Sequence, residues 1–176
     1  VVDGGTVKLD GNYPTGTDNV ALGDTALDSV EAGGTNNVAI GDNAGTAITT
    51  GDNNTAVGKD ALKATTTSAN NTAIGSCALD ANTTGSSNTA VGRNSLGSNI
   101  DGVYNSAVGH NGLATNSTGD NNTGIGYNAL VSNTTASNNT SVGFCSLYAN
   151  TTASCNTVVG KSAMAATTTG CRNVAV

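Results

Sequence analysis

Apolar residues return along this chain on a fixed schedule. A glycine recurs at Gly5, Gly23, Gly41, Gly58, Gly75, Gly92, Gly109, Gly126, Gly143 and Gly160; the first two steps are 18 residues and every later one is 17. The residue before each glycine is aliphatic from the second repeat on: Leu22, Ile40, Val57, Ile74, Val91, Val108, Ile125, Val142 and Val159, with Val176 in the same place at the end. Four residues after it stands Leu9, Leu27, Leu62, Leu79, Leu96, Leu113, Leu130, Leu147 or Met164, with Gly45 as the one exception. Four before it stands an asparagine, from Asn19, Asn37 and Asn54 through to Asn156 and Asn173. Each unit therefore holds two short apolar pieces split by a glycine and followed by an Asn/Thr/Gly link.

Seventeen residues are too few for two helices of useful length. Thr, Val and Ile favour strands, and Gly and Asn favour turns. Like positions recur in register, so successive units are expected to stack like over like. The pattern predicts an all-β fold, a parallel β-solenoid of about ten coils of 17–18 residues, forming one repetitive domain over residues 1–176. At about 4.8 Å per stacked strand, the rod would be roughly 50 Å long.

The columns suggest roles. The Val/Ile and Leu columns are expected to fill a narrow core, and the Asn column to form a hydrogen-bonded ladder that caps turns. The repeated glycine marks a bend where a Cβ would clash or φ is positive. Two residues before it come small side chains, among them Ala56, Ala73, Ala90, Ala107, Gly124 and Ser141. Strand alternation points these away from the Val/Ile side. With Val and Ile inside, a small outward column predicts close approach of a second backbone, hence a homo-oligomer with this column at its subunit interface; the competing reading is that small residues simply fit inside a thin roll.

Composition narrows the classes. Charged residues are 10% and aromatics 3%, far from an average soluble domain, yet the regular aliphatics argue against disorder. With 6 Lys and Arg against 12 Asp and Glu, phosphate neutralisation could not drive nucleic-acid binding. No apolar run reaches the roughly 20 residues of a membrane helix, so no membrane insertion is expected.

The strings Asn19-Val20-Ala21-Leu22-Gly23 and Asn37-Val38-Ala39-Ile40-Gly41 resemble the head repeats of trimeric autotransporter adhesins. The longer form, Asn-Thr-Ala-Val-Gly-x-x-Ala-Leu followed by Asn-Thr-Thr-Gly, looks like repeats of phage tail-fibre and other surface-fibre proteins. The resemblance runs from about Gly5 to Val176. It implies a left-handed β-roll, assembly as a homotrimer, and a role in attachment at a cell or virion surface. The period of 17 is longer than is usual in adhesin heads.

Fragments that mimic catalytic motifs fall into register with the repeat. Gly160-Lys161-Ser162 lacks the upstream glycine of a phosphate loop, Cys155 standing in its place, and Gly124-Ile125-Gly126 has no flanking helix. His110 is the only histidine, and the acidic residues do not follow calcium-binding β-roll spacing. No cofactor, metal site or catalytic residue is expected, and the chain does not read as an enzyme.

The position after the glycine is the most varied. It places Arg93, His110, Tyr127, Phe144 and Lys161 on adjacent coils, with Tyr148 four residues beyond Phe144. This column is the candidate recognition patch, for a glycan or a cell-surface receptor; side-chain stacking that stiffens the rod is the competing reading. Thr doublets such as Thr83-Thr84 raise ice binding, against which adjacent strand residues face opposite ways. Asn82, Asn133 and Asn150 head glycosylation sequons, which turn chemistry also explains. Cys155 and Cys171 lie 16 residues apart and form a candidate disulfide, whereas Cys77 and Cys145, four coils apart, cannot pair within a chain. Residues 1–4 and 172–176 repeat the strand register, so both ends are expected to present open coil edges. Such edges suit either lost flanking domains or end-to-end stacking into filaments. The function expected from all this is a structural extracellular fibre or adhesin module, with a phage-type tail fibre or glycan-binding module as the alternative.

Overall fold

A computed structural model describes residues 7–10, in backbone only, and residues 16–176. The described residues are all-β. β1 (Val7–Asp10) and β2 (Asn19–Leu22) are followed by β3 (Val38–Ile40), β4 (Thr55–Val57), β5 (Thr72–Ile74), β6 (Thr89–Val91), β7 (Ser106–Val108), β8 (Thr123–Ile125), β9 (Thr140–Val142), β10 (Thr157–Val159) and β11 (Val174–Ala175). They form one sheet in sequence order. β2 to β11 are ten parallel strands, which make a β-solenoid of about nine turns. The register matches the repeat residue for residue: Thr72 faces Thr89, Ala73 faces Ala90, and Ile74 faces Val91.

The start of the chain departs from the repeat. Gly5 lies outside the described residues. β1 does not open a coil: it runs antiparallel to β2, with Leu9 opposite Val20. The open edge expected at residues 1–4 lies outside the described residues; among the described ones β1 covers the edge of β2. Among the described strands, β1 and β11 are the two edges of the sheet.

Alternation within each strand is as expected, but the inside and the outside are exchanged. The small column is the core. Ala39, Ala73, Ala90 and Ala107 are fully buried, together with Gly124 and Ser141. The Val/Ile column, expected inside, faces out: Ile74, Val108, Ile125 and Val159 are each 40% exposed. The Ala column packs towards the leucines, since a Cβ added at Gly124 would stand 3.1 Å from Leu113 Cγ. A coil of 17 residues encloses so thin an interior that one column of large side chains fills it. Leucine takes that space and the facing strand must be small. Ala56, Ala73, Ala90, Ala107, Gly124 and Ser141 are thus sealed within a single chain, which removes them from any subunit interface.

The leucines reach the interior from an unusual backbone. Leu62, Leu79, Leu96, Leu113 and Leu130 have φ of 50–51°, a left-handed conformation rare for a γ-branched side chain. Each amide still bonds across coils, as when Leu79 N donates to Ser95 O at 3.1 Å. The exception in the column follows the same geometry. Gly45 keeps φ of 57°, and Ile48 from the next link fills the missing volume, buried to 1% and 3.0 Å from where a Cβ of Gly45 would be. The anchor glycines stack backbone on backbone: a Cβ on Gly58, at φ 130°, would stand 2.7 Å from the carbonyl carbon of Gly75. No other residue fits there.

Two asparagine ladders close the interior. In the expected one, Asn37 Oδ1 accepts the backbone N–H of Asn54 at 2.9 Å, while Asn37 Nδ2 donates to Gly51 O at 2.8 Å. The second runs through the links. Asn99, Asn116, Asn133 and Asn150 each donate Nδ2 to the Oδ1 of the asparagine one coil earlier, at 2.7–3.0 Å. Both columns are buried, so each satisfied amide removes an otherwise costly orphan group.

Candidate functional site

Two surface features stand out on a rod whose interior is fully used: a stacked column of aromatic and basic side chains, and an apolar sheet face beside it. The column begins two residues after the Val/Ile column, where the chain leaves the anchor glycine. Parallel stacking with a period of 17 puts His110, Tyr127 and Phe144 directly in line. His110 and Tyr127 have ring centroids 5.4 Å apart at 11°, and Tyr127 and Phe144 are 5.3 Å apart at 10°. A basic group closes each end: Arg93 Nη1 lies 3.0 Å from His110 Nε2, and Lys161 Nζ lies 5.9 Å from the Phe144 centroid.

This geometry brings together Arg93, His110, Tyr127, Phe144 and Lys161 of the sequence-derived column and leaves Tyr148 exposed outside the stack. The ring faces are turned to one another along the rod axis, so the column presents ring edges, the Tyr127 hydroxyl and the Arg93 and Lys161 charges to solvent. Offset stacking of this kind stabilises neighbouring coils against each other.

Nearer the start of the rod, the same column is acidic and then basic. Lys59 Nζ meets Asp42 Oδ2 at 2.6 Å, and the hydrogen bond and charge of Asp42 raise the Lys59 pKa. In the next column, burial alone would raise the Asp60 carboxyl, but hydrogen bonds from Asn43 and Lys63 bring it below its ordinary value. Among the described residues, no group of three His, Cys, Asp or Glu is placed to hold a metal ion, and no helix is long and apolar enough to cross a membrane.

No disulfide joins Cys155 and Cys171 within the chain. Cys155 and Cys171 are both free and exposed. Register is the reason: with Thr157 opposite Val174, position 155 stacks on Arg172 and position 171 on Ser154, so the two thiols belong to different columns. Cys77 and Cys145 are free as well. The Asn82, Asn133 and Asn150 sequons are internal: all three side chains are fully buried in the second ladder. The first threonine of a doublet is also engaged, with Thr83 and Thr134 donating their hydroxyls to Ile100 O and Thr151 O at 3.1 Å.

The apolar sheet face was misread in the sequence. Its outward positions carry Thr, Ser or Val at the first place of each three-residue strand and Val or Ile at the third, with no charged residue from β3 to β10. A second exposed pair, Ile100 and Tyr104, also escaped notice. It could have been found by comparing link positions, where neighbouring coils carry Thr83 and Ser117, or Ser87 and Asn121. No known family, curated protein or solved structure matches the chain.

Proposed function

We propose that this chain is a structural module of an extracellular fibre, a stiff rod that holds attachment parts away from a cell or virion surface. The supporting observation is the uninterrupted coil-to-coil bonding from β2 to β11. Strand, turn and side-chain ladders all join the same pairs of coils, so bending the rod anywhere breaks several hydrogen bonds at once. Coils contact only their neighbours, so such a rod lengthens by adding units without changing its cross-section. The reading assigns no catalytic step and no cofactor. It carries the homo-oligomer expectation forward, with a trimer as the state that the adhesin-head resemblance implies.

Recognition of a glycan or cell-surface receptor by the Arg93–His110–Tyr127–Phe144 column is the runner-up. It draws on the exposure of Tyr127 and Phe144, 46% and 49%.

The deciding experiment is immunogold labelling of the producing particles or cells with antibody against the chain. Label along filaments that project from the surface is expected. Label confined to the cell interior would overturn the fibre reading.

A further inference from the structure

The outward sheet face is an uncharged apolar strip with nothing in the single chain to cover it. Along its third strand position Ile40 is 37% exposed, and Ile74, Val108, Ile125 and Val159 are 40% exposed, with Val57, Val91 and Val142 half-buried between them. Branched side chains are costly to leave wet, and a soluble chain that spends them on its surface while keeping alanine inside has a use for them there.

We propose that this face is where a second copy of the chain docks, side by side along the rod. The proposal deepens the fibre reading by naming the surface through which rods associate. Three features point to a copy of the chain as the occupant. First, the strip repeats with the strand spacing, about 4.8 Å, over ten strands. An identical rod carries the same spacing and meets it side chain for side chain along its whole length. Second, the face from β3 to β10 has no charge, so two copies meet without like-charge repulsion there. Third, the face is long and continuous: nine strand intervals give a strip about 43 Å long, all of which an identical rod covers. The exposed Tyr127 and Phe144 edges then border the contact, as aromatic residues commonly do at interfaces.

Sedimentation velocity over a concentration series tests this. The native chain is expected to sediment as an oligomer at micromolar concentration. Ile74→Glu combined with Val108→Glu should weaken association at least 100-fold, while Thr84→Glu combined with Thr118→Glu, on exposed link positions, leaves it unchanged. Circular dichroism melts establish whether both variants fold. Should the face variant unfold, Val91→Cys in a chain with its four cysteines changed to serine serves instead. Position 91 meets position 91 in a parallel pair and position 108 in an antiparallel one, so oxidation should link two Val91→Cys copies, or a Val91→Cys copy to a Val108→Cys copy, whereas Thr118→Cys should not. A native chain that stays monomeric, a face variant that associates like the native chain, or absent cross-linking in both the 91–91 and the 91–108 pairs would each overturn the proposal. A monomer that shows thermal hysteresis, lost on Ile74→Glu, would overturn it too and reassign the face to ice. Surface-filament labelling by a monomeric rod would leave the fibre reading standing and remove only this one.

Discussion

Asn88 and Asn105 are joined across one coil by a bond from the backbone N–H of Asn105 to Asn88 Oδ1, 2.9 Å long and fully buried. Asn88 Nδ2 at the same time donates to Gly102 O at 2.8 Å. One side chain thus satisfies two backbone groups that water cannot reach. Asn88→Ala orphans the Asn105 N–H, while Gly102 O keeps its bond from Asn99 Nδ2, and is expected to lower stability by roughly 1–3 kcal/mol. Urea denaturation followed by circular dichroism measures this; a loss below the effect of an ordinary surface change would refute the ladder's role.

The exchange of inside and outside gives a second expectation. Ala90→Leu forces a large side chain into the space already held by the leucine column and should cost about 1–3 kcal/mol. Leu96→Ala empties that space and should cost about 2–5 kcal/mol. Thermal denaturation separates this arrangement from one with Val91 inside, for which Ala90→Leu would be harmless.

The buried sequons bear on expression. A sugar on Asn82, Asn116, Asn133, Asn139 or Asn150 cannot be accommodated, because each amide lies inside the solenoid. In a secretory pathway that glycosylates asparagine, the native chain is expected to be retained and degraded. Thr84→Ala, Thr118→Ala, Thr135→Ala, Ser141→Ala and Thr152→Ala together remove these sequons without touching the ladder asparagines. That variant should be secreted, as a blot of the medium would show. Efficient secretion of the native chain with sugar on Asn133 would contradict the structure.

Asp80 sets a pH dependence. Partial burial raises its pKa above the ordinary 3.8, against the lowering effect of the backbone amides of Asp80 and Ala81. A carboxyl whose folded pKa is raised weakens the fold when ionised, and the penalty disappears once pH falls below the ordinary value. Asp80→Asn should therefore be more stable than the native chain at about pH 7, and the difference should fade by about pH 3. Paired urea midpoints at the two pH values check it; a difference independent of pH would count against the burial of this group.

Tyr127 lies between two rings. Tyr127→Ala removes both stacked pairs and is expected to cost about 1–2 kcal/mol. Tyr104→Ala, at a position 64% exposed and outside the stack, should fall within about 0.5 kcal/mol of native. Equal melting temperatures for the two variants would mean that the stack adds nothing to stability.

The sequence by itself determined the period, the parallel register and the first asparagine ladder. These depend on which residue recurs where, and a repeat of 17 stacks Thr72 on Thr89 whichever way the strand is turned. It also determined that His110, Tyr127 and Phe144 share a column. It did not determine which side of the strand is inside. Alternation separates Ala73 from Ile74, and hydrophobicity then favours burying isoleucine; only the closed coil shows that Leu79, entering from a left-handed backbone, has already filled the space. The antiparallel pairing of β1 and the separation of Cys155 from Cys171 were likewise decided in three dimensions. A pattern of side chains states what can lie next to what along a column, whereas the width of the interior, which chooses alanine for the core and leaves valine and isoleucine for the surface, is a property of the folded coil.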